Sequence, residues 1–362
     1  MAGPLAGLKV VEMAGLGPGP FAAMMLADHG AEVIRVERAG MIGFPGDPLL
    51  RSRRSISLDL RHEAARDVVR RLTANVDGLI EGYRPGVMER LGLGPDILLG
   101  GNPGLVYGRV TGWGQGGPLS GAAGHDINYV ALTGLLHGIG PKERPVTAIN
   151  YLGDFAGGGM MLAFAMVAAL LAVKRGGEGQ VIDSAMTDGA ALIGALTYGL
   201  RAAGLWQDER ESNLLDGGNP AYGIYRCADG KFLALGAIEP QFRESLFTGL
   251  GLAADASRGE IEAVIATRGR DEWAEHFAGM DACVAPVLDL GEAPGHPHNQ
   301  ARETFVDLDG IVQPAPAPRY SATATDGPRP QRREGEDGPD ILAELGYSPI
   351  EIAELRDEGV LL

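Results

Sequence analysis

The chain has 362 residues with 45% hydrophobic content, enough for a well-packed core in one large domain or two. Its formal charge of −16 excludes nucleic acid as a general partner, although a local basic site for an anionic ligand remains compatible with it. Two cysteines, Cys227 and Cys283, are too few for a disulfide framework or a zinc cluster, so a reducing compartment and no metal are expected.

Leu8-Lys9-Val10-Val11-Glu12-Met13 is strand-like and follows the first residues directly, so no secretory signal is expected. The turn Gly15-Leu16-Gly17-Pro18-Gly19-Pro20 leads to a helix from Phe21 to Asp28, a stop at Gly30 and a second strand, Ala31 to Val36. This βαβ opening predicts a parallel sheet. Glu37 stands where a dinucleotide fold holds a ribose hydroxyl, but the glycine fingerprint fails at Pro20, which argues against that cofactor.

Arg35, Arg38, Arg51, Arg53, Arg54 and Arg61 form a local basic excess in an acidic chain. Surface ion pairs are one explanation. Phosphate recognition by planar guanidinium groups is the other. Ser55 to Leu60 alternates like a strand, His62 to Thr73 is helical, and Asp77 to Glu81 is a further strand. Arg38, Arg61 and Arg84 each follow a strand end, where open α/β sheets bind ligands.

Leu105 to Thr111 is another strand, followed by the loop Gly112-Trp113-Gly114-Gln115-Gly116-Gly117-Pro118. Two blocks then dominate. Gly124-His125-Asp126-Ile127-Asn128-Tyr129 places His125 before an apolar helical run, and Asn150 to Gly159 places Asp154 before the run Met160 to Val173. Each is an acid–base group at a helix N-terminus, beside unpaired N–H groups and the positive dipole end. Such a pair can move a proton next to a carbonyl. The plainer alternatives are an N-cap aspartate and a loop histidine. The Met160 to Val173 run, ending at Lys174-Arg175, is shorter than the roughly 20 residues a bilayer needs and reads as a buried helix.

Gly179 to Ala185 is one more strand, Met186 to Leu200 is helical, and Leu205 to Pro220 is an irregular linker. Asp229-Gly230 is a strong hairpin signal opening a smaller α+β domain, which includes the strand-like Cys283 to Leu288. Ala315 to Pro330 is proline-rich and extended. Ser348-Pro349-Ile350-Glu351 is a capped helix start near the end of the chain. The expected division is 1–204 as a large α/β domain, 205–220 as linker, 221–314 as a small α+β domain, and 315–362 as a return segment. The ending Gly359-Val360-Leu361-Leu362 is no peroxisomal address, so the cytoplasm is the expected location.

Taken in order, Gly15 to Pro20, Leu58-Asp59-Leu60-Arg61, Glu81 to Gly86, Thr111 to Gln115, Gly124 to Tyr129, Gly153-Asp154-Phe155, Ala237 to Phe242 and Glu344 to Ser348 resemble the family III CoA-transferase superfamily over nearly the full length. Within it, the likeness is to the branch that racemises α-methylacyl-CoA thioesters. The resemblance implies a Rossmann-like large domain completed by the C-terminal segment, and an interlocked homodimer with no nucleic-acid or membrane partner. It implies an isomerase in which His125 and Asp154 are the two acid–base groups and Glu239 hydrogen-bonds the Asp154 carboxyl. CoA would be met by Arg38, Leu58, Asp59, Leu60, Arg61, Gly82, Tyr83, Arg84 and Arg90, together with Gly124, Asp126, Ile127, Asn128 and Tyr129. The implied chemistry needs no separate cofactor, because CoA is part of the substrate. The same fold also carries CoA-transferases, in which Asp154 would be a nucleophile forming a mixed anhydride.

Overall fold

Valine- and isoleucine-rich runs bounded by glycine, alternating with helices, give this chain a parallel sheet. The computed structural model describes residues 2–40 and 44–362. Strand β1 (Lys9–Met13) leads to helix α1 (Pro18–Asp28) and β2 (Glu32–Glu37). β3 (Arg54–Ser57), α2 (Glu63–Thr73), β4 (Gly78–Glu81), α3 (Val87–Arg90), α4 (Pro95–Gly101) and β5 (Val106–Thr111) follow. Then come α5 (Asp126–Ala131), a long helix α6 (Tyr151–Lys174), β6 (Gln180–Ala185) and α7 (Met186–Ile193). The six strands are parallel in the order β3-β2-β1-β4-β5-β6. The order reverses between β1 and β4, which opens a crevice at their carboxyl ends.

Both faces of the sheet are covered. Val68, Val69 and Leu72 of α2 are buried on one side with Leu79 and Tyr107, and Ala22, Ala23 and Leu26 of α1 on the other with Ile80 and Leu162. The expected strands and the helix at 63–73 form with boundary shifts of a few residues. Met186 to Leu200 is not one helix; it breaks at Gly194 into α7 and α8 (Ala195–Ala202).

The chain divides into two units: 1–133, 149–193 and 303–362 form the first, and 134–148 with 194–302 the second. The second contains α8, β7 (Tyr222–Arg226), β8 (Phe232–Gly236), α9 (Pro240–Leu250), α10 (Arg258–Ile265), α11 (Arg270–His276), β9 (Val284–Val287) and α12 (Pro297–Ala301). β7 and β8 form the hairpin that Asp229-Gly230 announces, with Gly230 at φ +82°, and β9 pairs antiparallel with β8. The stretch 134–148 joins this unit because Arg210 donates to the carbonyls of His137, Pro141 and Lys142. The irregular run from Leu205 is therefore a structured loop rather than a spacer.

The return to the first unit begins at 303, earlier than the sequence suggests. The hairpin of β10 (Phe305–Leu308) and β11 (Ile311–Pro314) is fastened by Arg51, which donates to Gln313 Oε1 and the Pro314 carbonyl. Beyond it, α13 (Gly338–Glu344) and α14 (Pro349–Asp357) close the large unit. Ser55 N donates to Asp337 Oδ2, and Asp59 N donates to the Val360 carbonyl. Ser348 and Glu351 form the expected capping box.

Most of the arginine excess is structural. Arg35 and Arg53 lie buried against Glu12, which is fully buried on β1. Arg51 is buried against Asp28, and Arg54 pairs with Glu32 and Glu344. A guanidinium inside a sheet needs a carboxylate partner, and these four have one. These four arginines are internal supports, not the phosphate-site candidates that the sequence suggests. Removing Glu12 leaves the buried Arg53 without its carboxylate partner and Arg35 with Glu37 alone. Glu12→Ala is expected to lose about 3–5 kcal/mol of stability, whereas Glu63→Ala, which breaks exposed pairs with Arg66 and Arg70, is expected to lose about 1 kcal/mol or less in the same urea titration.

Candidate active site

At the reversal point of the sheet the first unit holds a cavity of about 300 Å³. Its walls come from the ends of β1 (Met13), β4 (Gly82, Tyr83, Arg84) and β5 (Thr111, Gly112, Trp113), from the turn Gly15 to Pro20, and from Gly124, His125, Tyr129 and Asp154. Three strand ends, one glycine turn and two helix starts thus converge, as the reversal of strand order requires.

His125 is the residue before α5 and is exposed in extended backbone, its N–H donating to Asn128 Oδ1 at 3.1 Å. Behind it, Tyr129 is buried, its hydroxyl bonded to the Gly124 carbonyl, and Trp113 meets it edge-on at 4.8 Å. A Cβ on Gly112 would lie 2.0 Å from the Tyr129 ring, so only glycine allows that ring to seat.

Asp154 stands in the first turn of α6, not before it. The sequence places the helix start near Met160, because four glycines disfavour a helix. The structure starts it at Tyr151, with wide π-helical turns from Tyr151 to Met160 that continue as α-helix to Lys174. The Phe155 N–H reaches the Asn150 carbonyl, five residues back. The glycines are there for close packing. A Cβ on Gly157 would lie 2.6 Å from Ala190 N, one on Gly158 2.9 Å from Pro18 Cβ, and one on Gly159 2.9 Å from the Pro18 carbonyl. The whole of α6 spans 24 residues and is long and apolar enough to cross a membrane by length and composition; here it packs on α1, α7 and β5 while leaving Phe164, Val167 and Leu171 exposed.

The Asp154 carboxyl is half-buried and accepts a hydrogen bond from Asn150 Nδ2 at 3.1 Å. Burial pushes its pKa above the usual aspartate value; the Asn150 bond opposes this, the Asp126 charge adds to it, and His125 opposes it. Asp126 is buried, and its Oδ2 accepts from the N–H groups of Gly153 at 2.6 Å and Asp154 at 2.8 Å. Nothing in the residue pattern distinguished this carboxylate from a substrate contact.

Of the other expected site residues, Gly82, Tyr83, Arg84, Gly124 and Tyr129 line the cavity. Arg38, Arg61 and Arg90 are exposed and lie outside its lining, as do Asn128 and the exposed Ile127. Asp59 holds Arg61 with a 2.5 Å ion pair. Leu60 packs partly buried against the core. Leu58 is fully buried and its N–H donates to the Glu37 carbonyl, so its side chain serves the core rather than a ligand. Glu239 is exposed at the start of α9 and belongs to the second unit. Among the described residues no group of three or more histidine, cysteine or acidic side chains is arranged to hold a metal ion.

A family model described as CoA-transferase family III matches residues 5–337. The chain belongs to that family. It is 44% identical to the alpha-methylacyl-CoA racemase of Mus musculus, over 99% of this chain and 97% of that protein, and 43% identical to the alpha-methylacyl-CoA racemase of Homo sapiens over the same shares. It is also 33% identical to the succinyl-CoA–D-citramalate CoA-transferase of Chloroflexus aurantiacus, over 88% of each chain. Among solved structures, a CAIB/BAIF family protein from Brucella suis matches with a TM-score of 0.82 at 26% identity, over 95% of this chain and all of that one. The relatives of this chain thus include both racemases and a CoA-transferase.

A carboxyl whose pKa is raised by folding favours the folded state fully only below the ordinary aspartate range. That contribution is lost as pH rises through the folded value. Asp154→Asn is therefore expected to raise the Tm at neutral pH and to leave it unchanged at pH about 3, where both forms are uncharged. Thermal melts at the two pH values check this.

Proposed function

We propose that this isomerase interconverts the two epimers of 2-methylacyl-CoA thioesters by moving the α-proton through an enolate, with His125 and Asp154 as the paired acid–base groups. The observation that carries the reading is that His125 and Asp154, far apart in sequence, line one cavity together with Arg84. The racemase relatives support it.

The thioester carbonyl acidifies the adjacent C–H because the enolate spreads charge onto oxygen. One base takes the proton from one face while the C–H electron pair moves into the enolate. The pair then returns to carbon and takes a proton from the other group on the opposite face. Both directions need the His125–Asp154 pair to hold one proton in total. That predicts a bell-shaped pH profile with the same limbs for either epimer. A positioned base contributes about 10²–10⁴-fold. The remainder falls to enolate stabilisation, for which the unpaired N–H of Asp126 at the start of α5 is the donor in this reading.

Arg84 in the cavity and the exposed Arg38, Arg61 and Arg90 are the proposed partners of the CoA phosphates. Asp59 presets the Arg61 guanidinium. A hydrogen bond from Glu239 to the Asp154 carboxyl, an interlocked homodimer, a cytoplasmic location and no membrane partner complete the proposal.

Acyl transfer through an Asp154 mixed anhydride is the second reading, favoured by the transferase relative. It assigns no proton-transfer task to His125. The deciding experiment incubates one epimer of a 2-methylacyl-CoA with the protein in D₂O, without an acceptor acid. Deuterium at the α-carbon with both epimers present is the expected result. No exchange, with an Asp154 anhydride trapped by hydroxylamine, would establish transfer instead. His125→Ala is expected to reduce racemisation at least about 10²-fold with CoA-ester affinity within about twofold of wild type. Arg61→Ala is expected to raise KM several-fold with kcat nearly unchanged, the signature of lost ground-state binding.

A further inference from the structure

We propose that the Asp126 side chain is a positioning residue for Asp154, clamping the first turn of α6 and holding a fixed negative charge beside the catalytic carboxyl. The inference rests on the acid–base role given to Asp154 above. It assigns the Asp126 side chain a task separate from the substrate contact made by its backbone.

The geometry is specific. A single oxygen, Asp126 Oδ2, accepts both the Gly153 and the Asp154 N–H, at 2.6 and 2.8 Å, from a buried position. One of these donors is the peptide N–H of Asp154 itself, so the bond fixes the Cα from which the catalytic carboxyl hangs. Gly153 is fitted to it: a Cβ there would lie 2.6 Å from Asp126 Oδ2 and 3.2 Å from Asp126 Cα. Any side chain at 153 would push the clamp open.

The clamp also controls which donors can reach Asp154. Peptide N–H groups at a helix start normally stabilise an anion in the first turn. Two of those on α6 are taken by Asp126. The neighbouring start of α1 approaches through Gly17, where a Cβ would lie 3.3 Å from Asp154 Oδ2, and it carries Pro18 and Pro20, which have no N–H. The groups acting on Asp154 are then Asn150, the residue just before its helix, and His125 and Asp126 around the start of α5. Tyr129 of α5 is coupled to it as well, and Arg84 acts on Tyr129. From α7 the packing partners are Met186 and Ala190, and from α1 Pro18 and Phe21, none of them charged. Asp126 is thus the negative charge built into this shell. It strengthens Asp154 as a base while its hydrogen bonds keep the side chain in place.

The test compares pH profiles of α-deuterium exchange into one epimer of a 2-methylacyl-CoA by wild type, Asp126→Asn, Asp126→Ala, Gly153→Ala and Asp154→Asn. Asparagine keeps an acceptor oxygen and drops the charge. Asp126→Asn is expected to move the acid limb down by about half a pH unit or more and to lower kcat about tenfold, with KM within about twofold. Asp126→Ala loses the clamp as well and should lower kcat about 10²-fold with KM again little changed. Gly153→Ala should reproduce that loss with Asp126 intact. Far-UV circular dichroism on each variant establishes folding, and Gly153→Ala supplies the clamp test if Asp126→Ala does not fold.

An unmoved acid limb in Asp126→Asn overturns the electrostatic part, and wild-type kcat in both Asp126→Ala and Gly153→Ala overturns the clamp. A rise in KM alone for Asp126→Asn would make Asp126 a binding residue only. Asp154→Asn separates the layers. If it retains exchange, the acid–base assignment itself fails. If it loses exchange while the Asp126 variants behave as wild type, only the present inference fails.

Discussion

Four helices meet where Gly153, Gly157, Gly158 and Gly159 leave no side chains between them, and the site depends on that close approach. Without Cβ atoms, α6 can lie against the backbone of α1 and α7 and against the Asp126 carboxyl. The wide turns from Tyr151 to Met160 follow from the same contact, because a tighter helix would carry the Asp154 position round the axis. The penalty for glycine in a helix, about 1 kcal/mol each, is offset by packing that no other residue permits. The helix that results is apolar on all sides; one side packs on α1, α7 and β5, and Phe164, Val167 and Leu171 remain exposed.

Charge is distributed by a second constraint. The protein is strongly acidic, yet its first unit buries Arg35, Arg51 and Arg53 beside Glu12 and Asp28. These pairs join β1, β2, α1 and the stretch before β3, the edge strand of the sheet. Arg38, Arg84 and Arg90 are exposed, as is Arg61, which Asp59 holds in the open, and these four are the ones proposed to meet an anionic ligand. A basic cluster in sequence is therefore divided in space between internal supports and the exposed positions proposed for recognition, and burial is what divides it.

The proton chemistry proposed for the cavity draws on both constraints. A carboxyl is a useful base near neutral pH only if its anion is disfavoured, and Asp154 is disfavoured first by burial and then by Asp126. Burial comes from the glycine-mediated packing of α6. The positive field of a helix start, which would have reversed the effect, is taken up by the Asp126 clamp.

The sequence alone determined the alternation of strands and helices in the first unit, the Asp229-Gly230 hairpin, the capped start of α14, and the two short blocks that carry His125 and Asp154. These are local signals: hydrophobic period, turn chemistry and caps are written within a few residues. It also carried the family resemblance, because several motifs in a fixed order are informative without coordinates. Tertiary structure decided what depends on distant partners. The start of α6 was misplaced because the glycine penalty is local while the packing that offsets it involves Pro18, Phe21, Met186 and Ala190. The roles of Arg35, Arg51, Arg53 and Arg54 required knowing that Glu12, Asp28, Glu32 and Glu344 stand beside them. The return point at 303 was set by Arg51 reaching across to Gln313 and Pro314. Asp126 looked like one more residue in a substrate motif until the fold brought the N–H groups of Gly153 and Asp154 onto its oxygen, since a hydrogen bond between residues so far apart in sequence leaves no trace in the spacing of either motif.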